Sequence, residues 1–219
     1  MCIAKCYVML APEKNSDRGG SMKKKLAAGI IALLLLSTGI VWAQNSADPF
    51  AANHRKGSQS IEISPGGFLP LFVLDSNFAV ISSPNMSPGA AFSVLYRYML
   101  GKNLGIGGSI AGSFVTTVGG RTLFLAPVCL SSTYVFGTDP MEFDISTEIG
   151  MNVMRLSGNG IISPIAKLGG GISRYISESW SIGGKLMWWF VPEIHLGSYA
   201  NLDSYANFLE FSIGAQYHF

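Results

Sequence analysis

Charge is scarce in this chain. Asp, Glu, Lys and Arg make up 13% of its 219 residues, against 48% apolar residues. A nucleic-acid binder needs a basic stripe on one face or helix, and no such cluster follows residue 43. Cysteine is nearly absent as well: Cys2, Cys6 and Cys129 are too few and too scattered for a disulfide scaffold. Histidine is limited to His54, His195 and His218, on a leader, a loop and a terminus, without the spacing of metal ligands, so no metal site and no cofactor are expected. Beyond residue 43 there is also no apolar run of the roughly 20 residues that a membrane helix needs. Yet the mean hydropathy is positive, which is odd for a protein in water. Apolar residues spread along alternating strands would account for it.

What the chain does have at its start is an export pattern. Met22 is followed by Lys23, Lys24 and Lys25, then an apolar stretch from Leu26 to about Gly39, then Val41, Trp42 and Ala43 before Gln44. Small side chains three and one residues before the cut predict cleavage between Ala43 and Gln44. A retained membrane helix would carry a positive stop-transfer cluster at this point, and none follows. With Gln44 rather than a cysteine directly after the cut, the segment is not a lipoprotein signal. Residues 1–21 precede the basic start that opens a signal, so translation is expected to begin at Met22 and residues 1–21 to be an upstream extension. The expected division is then 1–21 upstream, 22–43 signal peptide and 44–219 one β-barrel domain. From Gln44 on, nine Lys and Arg face eleven Asp and Glu, so the basic balance belongs to the leader. Cys129, alone in the mature chain, reads as an inert apolar filler inside a strand.

The mature chain alternates. Leu209, Phe211, Ile213, Ala215, Tyr217 and Phe219 interleave with Glu210, Ser212, Gly214, Gln216 and His218, which puts apolar residues on one face of a strand and polar ones on the other. Met141 to Val153 is as clean: Phe143, Ile145, Ile149 and Met151 alternate with Glu142, Asp144, Ser146, Glu148 and Asn152. Reading on this period predicts eight strands, at about 60–73, 89–100, 104–115, 123–136, 141–153, 161–176, 180–190 and 209–219. Tight turns follow the second, fourth and sixth. Looser connections, at about 74–88, 116–122, 155–160 and 191–205, follow the others. Aromatic residues sort into two rows: Tyr96, Tyr98, Tyr134, Phe136, Phe143, Trp180, Tyr217 and Phe219 at the turn ends, and Phe92, Phe114, Phe124, Trp188 and Phe190 at the loop ends.

A soluble sandwich alternates too, but has no reason to keep two ring girdles. The pattern predicts an all-β fold: a transmembrane eight-stranded antiparallel up-and-down barrel with short periplasmic turns, both termini periplasmic and longer outer loops, in an outer membrane. Closure leaves no unpaired edge for lipid to meet. The terminal aromatics Tyr217 and Phe219 are expected to form the signal read by the barrel-assembly machinery.

Facing the lumen are Arg97, Glu142, Asp144, Glu148, Asn152, Lys167, Lys185, Glu210, Gln216 and His218. Acids on the fifth strand and the bases Lys167 and Lys185 on its neighbours in sequence suggest cross-strand ion pairs. Eight strands enclose room for side chains or one small ligand, so these groups either plug the lumen or line a narrow polar path. Pro127 and Pro164 each remove an N–H from a ladder that lipid would otherwise require complete. Each is either a bulge or an opening in the wall through which an apolar solute leaves sideways.

Several segments resemble the OmpW outer-membrane proteins, also called OprG or AlkL types. They are Leu95-Tyr96-Arg97-Tyr98-Met99 with Asn103-Leu104-Gly105-Ile106, Leu125-Ala126-Pro127 with Tyr134 and Phe136-Gly137, Pro164 with Gly169-Gly170-Gly171-Ile172, Trp180 to Trp188-Trp189, and the ending Phe211 to Phe219. The resemblance covers most of residues 90–219. It implies a barrel that carries small hydrophobic molecules across the outer membrane and releases them through a lateral opening beside a wall proline, here Pro127. The chain departs from that pattern in its short third outer loop and in a first strand containing Pro65 and Pro70. Two other classes stay open. One is a non-conducting anchor or adhesin whose loops bind host ligands, with the apolar residues Phe72, Val73, Leu74, Phe78, Val80 and Ile81 read as strand extension. The other is a lipid hydrolase, for which Glu193, His195 and Ser198 are the candidate residues; no enzyme is expected.

Overall fold

The structure is a computed structural model that describes residues 53–81, 85–117, 119–157, 159–194 and 203–219. The signal region and the Ala43/Gln44 cut lie outside these residues. Eight long strands carry the fold: β1 (Gln59–Leu74), β3 (Gly89–Met99), β4 (Leu104–Thr116), β5 (Thr122–Thr138), β6 (Met141–Leu156), β7 (Asn159–Tyr175), β8 (Trp180–Glu193) and β9 (Ser204–His218). A two-residue strand, β2 (Val80–Ile81), folds back on the end of β1. Each long strand pairs antiparallel with the next, and β9 pairs back onto β1, so the sheet closes into an up-and-down barrel. Closure pairs the first strand of the barrel with the last, Ile61 with Tyr217 and Ile63 with Ala215.

Alternation decides which way each side chain points. The outward positions include Ile110, Val128, Leu130, Ile145, Ile149, Ile162 and Ile213, and Leu130 and Ile149 are 79% and 71% exposed. A continuous apolar belt of this size has no place in water and is the wall of a transmembrane barrel. Among the described residues no helix is long and apolar enough to cross a membrane; the crossing is made by strands. At the turn end, rings stack along the belt's edge as Trp180–Tyr217 and Phe136–Phe143, 5.0 and 5.7 Å between centroids. At the loop end Trp188, Phe190, Tyr205 and Phe78 form one row, 6.0, 5.9 and 4.8 Å apart in turn.

The strand order and turn positions agree with the sequence reading, and the differences are at the loop end. The β6–β7 connection is only residues 157–158, with Ser157 in the left-handed region at φ 47, so it is a two-residue hairpin rather than a loose loop over 155–160. β8 and β9 reach further than the expected 180–190 and 209–219, which shortens the expected 191–205 loop. Pro192 lies inside β8. It pairs with Tyr205 of β9, while β7 makes no ladder with β8 beyond Ala166–Phe190. A proline can sit in a strand when its missing N–H faces an unpaired side. The first connection is strand extension: β1 runs to Leu74, and Asp75 Oδ1 accepts the N–H groups of Asn77 and Ala79 at 2.8 and 2.9 Å to turn the chain into β2.

Candidate functional site

The inward positions fill the barrel, and they are of two kinds. From the turns to mid-barrel they are charged or hydroxylic. From mid-barrel to the loops they are mostly apolar.

In the turn half, Glu142 on β6 is the centre of a buried cluster. Arg97 Nη1 on β3 lies 3.0 Å from Glu142 Oε1 across the lumen. Tyr175 on β7 donates its hydroxyl to Glu142 Oε2 at 2.9 Å, and His54 Nε2 lies 3.5 Å from the same oxygen. The His218 ring packs on Tyr175 at 5.0 Å and contacts Ser181 Oγ at 3.0 Å. Beside it Lys185 donates to Glu62 Oε2 at 2.7 Å, Ser64 donates to the other oxygen of Glu62 at 2.6 Å, and Gln216 Nε2 donates to Ser60 at 2.8 Å. Asp144 accepts from Ser146 at 2.9 Å. Deeper, Glu148 takes Lys167 at 3.0 Å and Ser109 at 2.6 Å. Lys167 also lies 4.2 Å over the Trp189 ring, whose N–H donates to Glu210 at 2.9 Å.

Such partners matter because a buried charge that loses its mate costs about 3–5 kcal/mol. The cavity between Glu62, Asp144, Lys185 and Gln216 has a volume of about 20 Å³, enough for roughly one water.

Arg97, Glu142, Asp144, Glu148, Lys167, Glu210, Gln216 and His218 are buried in this network with Lys185, and Asn152 is treated below. The partner of Lys185 is a correction. It pairs with Glu62 of β1 rather than with the acids of the fifth expected strand, because Glu62 projects across the same level of the lumen. Sequence reading also missed His54, which it placed on a leader. His54 is 2% exposed and packs against Glu142 at the turn end. Its segment is tied down by Asn53 Nδ2 donating to the Glu178 carbonyl at 2.8 Å and by Gly57 N–H donating to the Met99 carbonyl at 2.8 Å. A lone histidine ahead of the first strand carries no periodic signal that could have revealed this.

The loop half was missed altogether. Phe68, Leu123, Leu125, Met154, Trp189, Val191, Ala206 and Phe208 turn inward and are at most 1% exposed. Phe68 holds the group together, stacked on Phe208 and edge-on to Trp189, both at 4.8 Å. Cys129 sits at the lower border of this cluster, buried. Asn152 is the exception among the expected residues: it lies in the apolar half, and neither its Nδ2 nor its Oδ1 has a partner in the protein.

The two prolines differ. Pro127 points inward, opposite Asn152 of β6. The β4–β5 ladder runs to Ile110–Val128 and resumes at Ser113–Leu125, skipping Ala111, Gly112, Ala126 and Pro127. The interruption is bounded above and below, keeps the same register on both sides, and lies where Pro127 has no N–H to give the ladder. Pro164 points outward, and the β7–β8 ladder ends at Ala166–Phe190 without resuming toward the rim. Tyr217 and Phe219 end the chain on the outer face, their rings 5.9 Å apart. Of the hydrolase candidates, Glu193 is buried and accepts from Ser204 at 3.3 Å, whereas His195 and Ser198 lie outside the described residues. Among the described residues no three His, Cys, Asp or Glu side chains gather as metal ligands.

A closed, apolar-walled meander of eight long strands defines a transmembrane β-barrel protein. A protein-family model matches residues 43–217, and the chain belongs to that family, whose span takes in the whole barrel. A protein of Treponema pallidum (strain Nichols), described as uncharacterized, is 25% identical over 134 residues, 60% of this chain and 59% of its own length. The chain thus matches about three-fifths of that relative. Among solved structures, Neisserial surface protein A (NspA) superposes with a TM-score of 0.53 at 12% identity, over 74% of this chain and 97% of that one. The outer membrane protein OprG of Pseudomonas aeruginosa gives 0.45 at 13% identity over 76% and 98%. The attachment invasion locus protein Ail of Yersinia pestis gives 0.46 at 14% over 75% and 99%.

Proposed function

We propose that the protein is an outer-membrane barrel of OmpW type that takes small apolar molecules from outside and releases them sideways through the wall near Pro127. The observation that carries this reading is the coincidence of the bounded β4–β5 interruption with the apolar half of the lumen: Ala111 within it and Leu125 at its edge belong to the same cluster as Phe68 and Trp189. The charged half below stops ions, so the route is into the bilayer rather than through it. Entry from the loop end requires the packed side chains to move aside. The ladder end near Pro164 is the second candidate exit. In this reading the turn end and both termini face the periplasm, lipid covers the belt, and the barrel-assembly machinery recognises the last strand with Tyr217 and Phe219. The chain acts without catalysis and without a cofactor.

Liposomes carrying the purified protein should take up an apolar solute faster than empty liposomes, while planar bilayers show no ion conductance. The second reading, an anchor whose loops meet host ligands, is favoured by the packed interior itself, and it expects silence in both assays from a folded barrel. Steady ion conductance would contradict both.

A further inference from the structure

Four polar atoms in the apolar half have no partner. They are Nδ2 and Oδ1 of Asn152, Oγ of Ser163 and Oγ of Ser113, on side chains no more than 1% exposed. Such atoms are costly to bury, about 1–3 kcal/mol each, and demand an explanation. Their placement supplies one. Asn152 is the register partner of Pro127 on one side and of Ser163 on the other. Ser113, with Leu125, is the first pair above the interruption in the β4–β5 ladder. The three side chains therefore stand on the lumen side at and beside the interruption, among Leu125, Met154, Ile165 and Phe208 of the apolar cluster.

We infer that these three side chains hold the polar end of an amphiphile, so that the solute is an apolar body with one neutral hydrogen-bonding head, such as a primary alcohol or amide, rather than a plain hydrocarbon. This rests on the proposed uptake route and names its substrate class. The chemistry selects a neutral head. Asn152 offers two donor hydrogens and an acceptor oxygen, and each serine a hydroxyl that both gives and accepts, which suits a group that also does both. A carboxylate would need a cation, and the nearest buried one in register, Lys167, is already held by Glu148 at 3.0 Å and covered by the Trp189 ring. An alkane would leave all four atoms unpaired. Discrimination built on buried hydrogen-bonding groups is steep, because a solute lacking the head strands them.

Trp189 reports on the site from within the cluster. In the full chain, with Trp42, Trp180 and Trp188 changed to Phe, Trp189 is the sole tryptophan. Titrating this protein in detergent with bromodecanol, bromodecane and bromodecanoic acid measures their approach to it by quenching. The alcohol should quench saturably, with half-saturation at least ten-fold lower than for the alkane or the acid at neutral pH. Asn152→Leu should raise the alcohol's half-saturation ten-fold or more and leave the alkane's unchanged, and Ser163→Ala should give a smaller shift the same way. Heat-modifiable gel migration checks that each variant is folded. Equal quenching by alcohol and alkane, or an Asn152→Leu titration identical to the parent, would overturn the assignment. Uptake by liposomes is measured separately. Transport of decane and decanol at equal rates would refute the head-group site while sparing the route, whereas binding without any transport would refute the route alone.

Discussion

The two halves of the lumen are lined by the same strands, yet they are built on opposite principles. Toward the turns, six of the eight long strands present charges, and these form the pairs Arg97 with Glu142, Lys185 with Glu62 and, between adjacent strands, Lys167 with Glu148. Toward the loops, the strands present Phe68, Trp189, Phe208 and Leu125, and Asn152, Ser163 and Ser113 among them carry side-chain atoms with no hydrogen-bond partner. Lipid requires only that the outer face be apolar and the ladder nearly complete. It places no demand on the interior, so the change from charge to hydrocarbon along one lumen reflects what the interior is for. A barrel that only had to be closed could use either filling throughout. Under the proposed function, the charged half stops ions and the hydrocarbon half accepts apolar matter.

The contrast can be broken from either side. The largest effect is expected at the hub: Glu142→Ala strands Arg97 and removes the acceptor of Tyr175, and should cost about 3–5 kcal/mol, seen as a lower midpoint of the heat-modifiable shift in urea. In the loop half, Phe208→Ala leaves a void beneath Phe68 and Trp189 and should cost about 3 kcal/mol or more. Unlike the hub variant, it should speed uptake of an apolar solute without adding ion conductance. On the outer face, Leu130→Arg places a charge in the lipid belt and should cost about 2–4 kcal/mol if that position lies near mid-bilayer. The neighbouring inward change Ser131→Ala should move the same midpoint by less than about 1 kcal/mol, since it removes a hydroxyl with no partner. Asn152→Leu sharpens the comparison with an opposite sign: by removing two orphaned groups from an apolar surround it should stabilise the barrel by about 1–3 kcal/mol, although the account makes it defective in binding.

Much of this was legible in the sequence because the period-two signal is enforced by lipid. Leu209 to Phe219 and Met141 to Val153 alternate cleanly since one side meets hydrocarbon and the other meets polar groups, and these stretches gave both strand positions and facing. The apolar upper lumen was hidden for the complementary reason. Where both sides are apolar the alternation disappears, as in Leu123-Phe124-Leu125, Val153-Met154 and Trp188-Trp189-Phe190-Val191. That loss was itself a signal: adjacent large apolar residues at the loop end of several strands mark a wall greasy on both faces. Partners across the lumen, such as Lys185 with Glu62, depend on which strands lie opposite after closure, and strand spacing along the chain does not encode that. Pro192 is the reverse case: a residue that usually ends a strand sits within one because its edge is unpaired.

The central claim is that apolar solutes leave through the interruption beside Pro127, and a reversible staple tests it most directly. Gly112 and Ala126 are two of the four positions skipped in the β4–β5 ladder, one on each strand. With Cys2, Cys6 and Cys129 replaced by Ala, Gly112→Cys and Ala126→Cys can be joined by oxidation across the interruption and parted by reduction. In liposomes, uptake of an apolar solute should stop in the oxidised protein and return on reduction, with the barrel folded in both states. Uptake that continues unchanged with the disulfide formed would contradict the account.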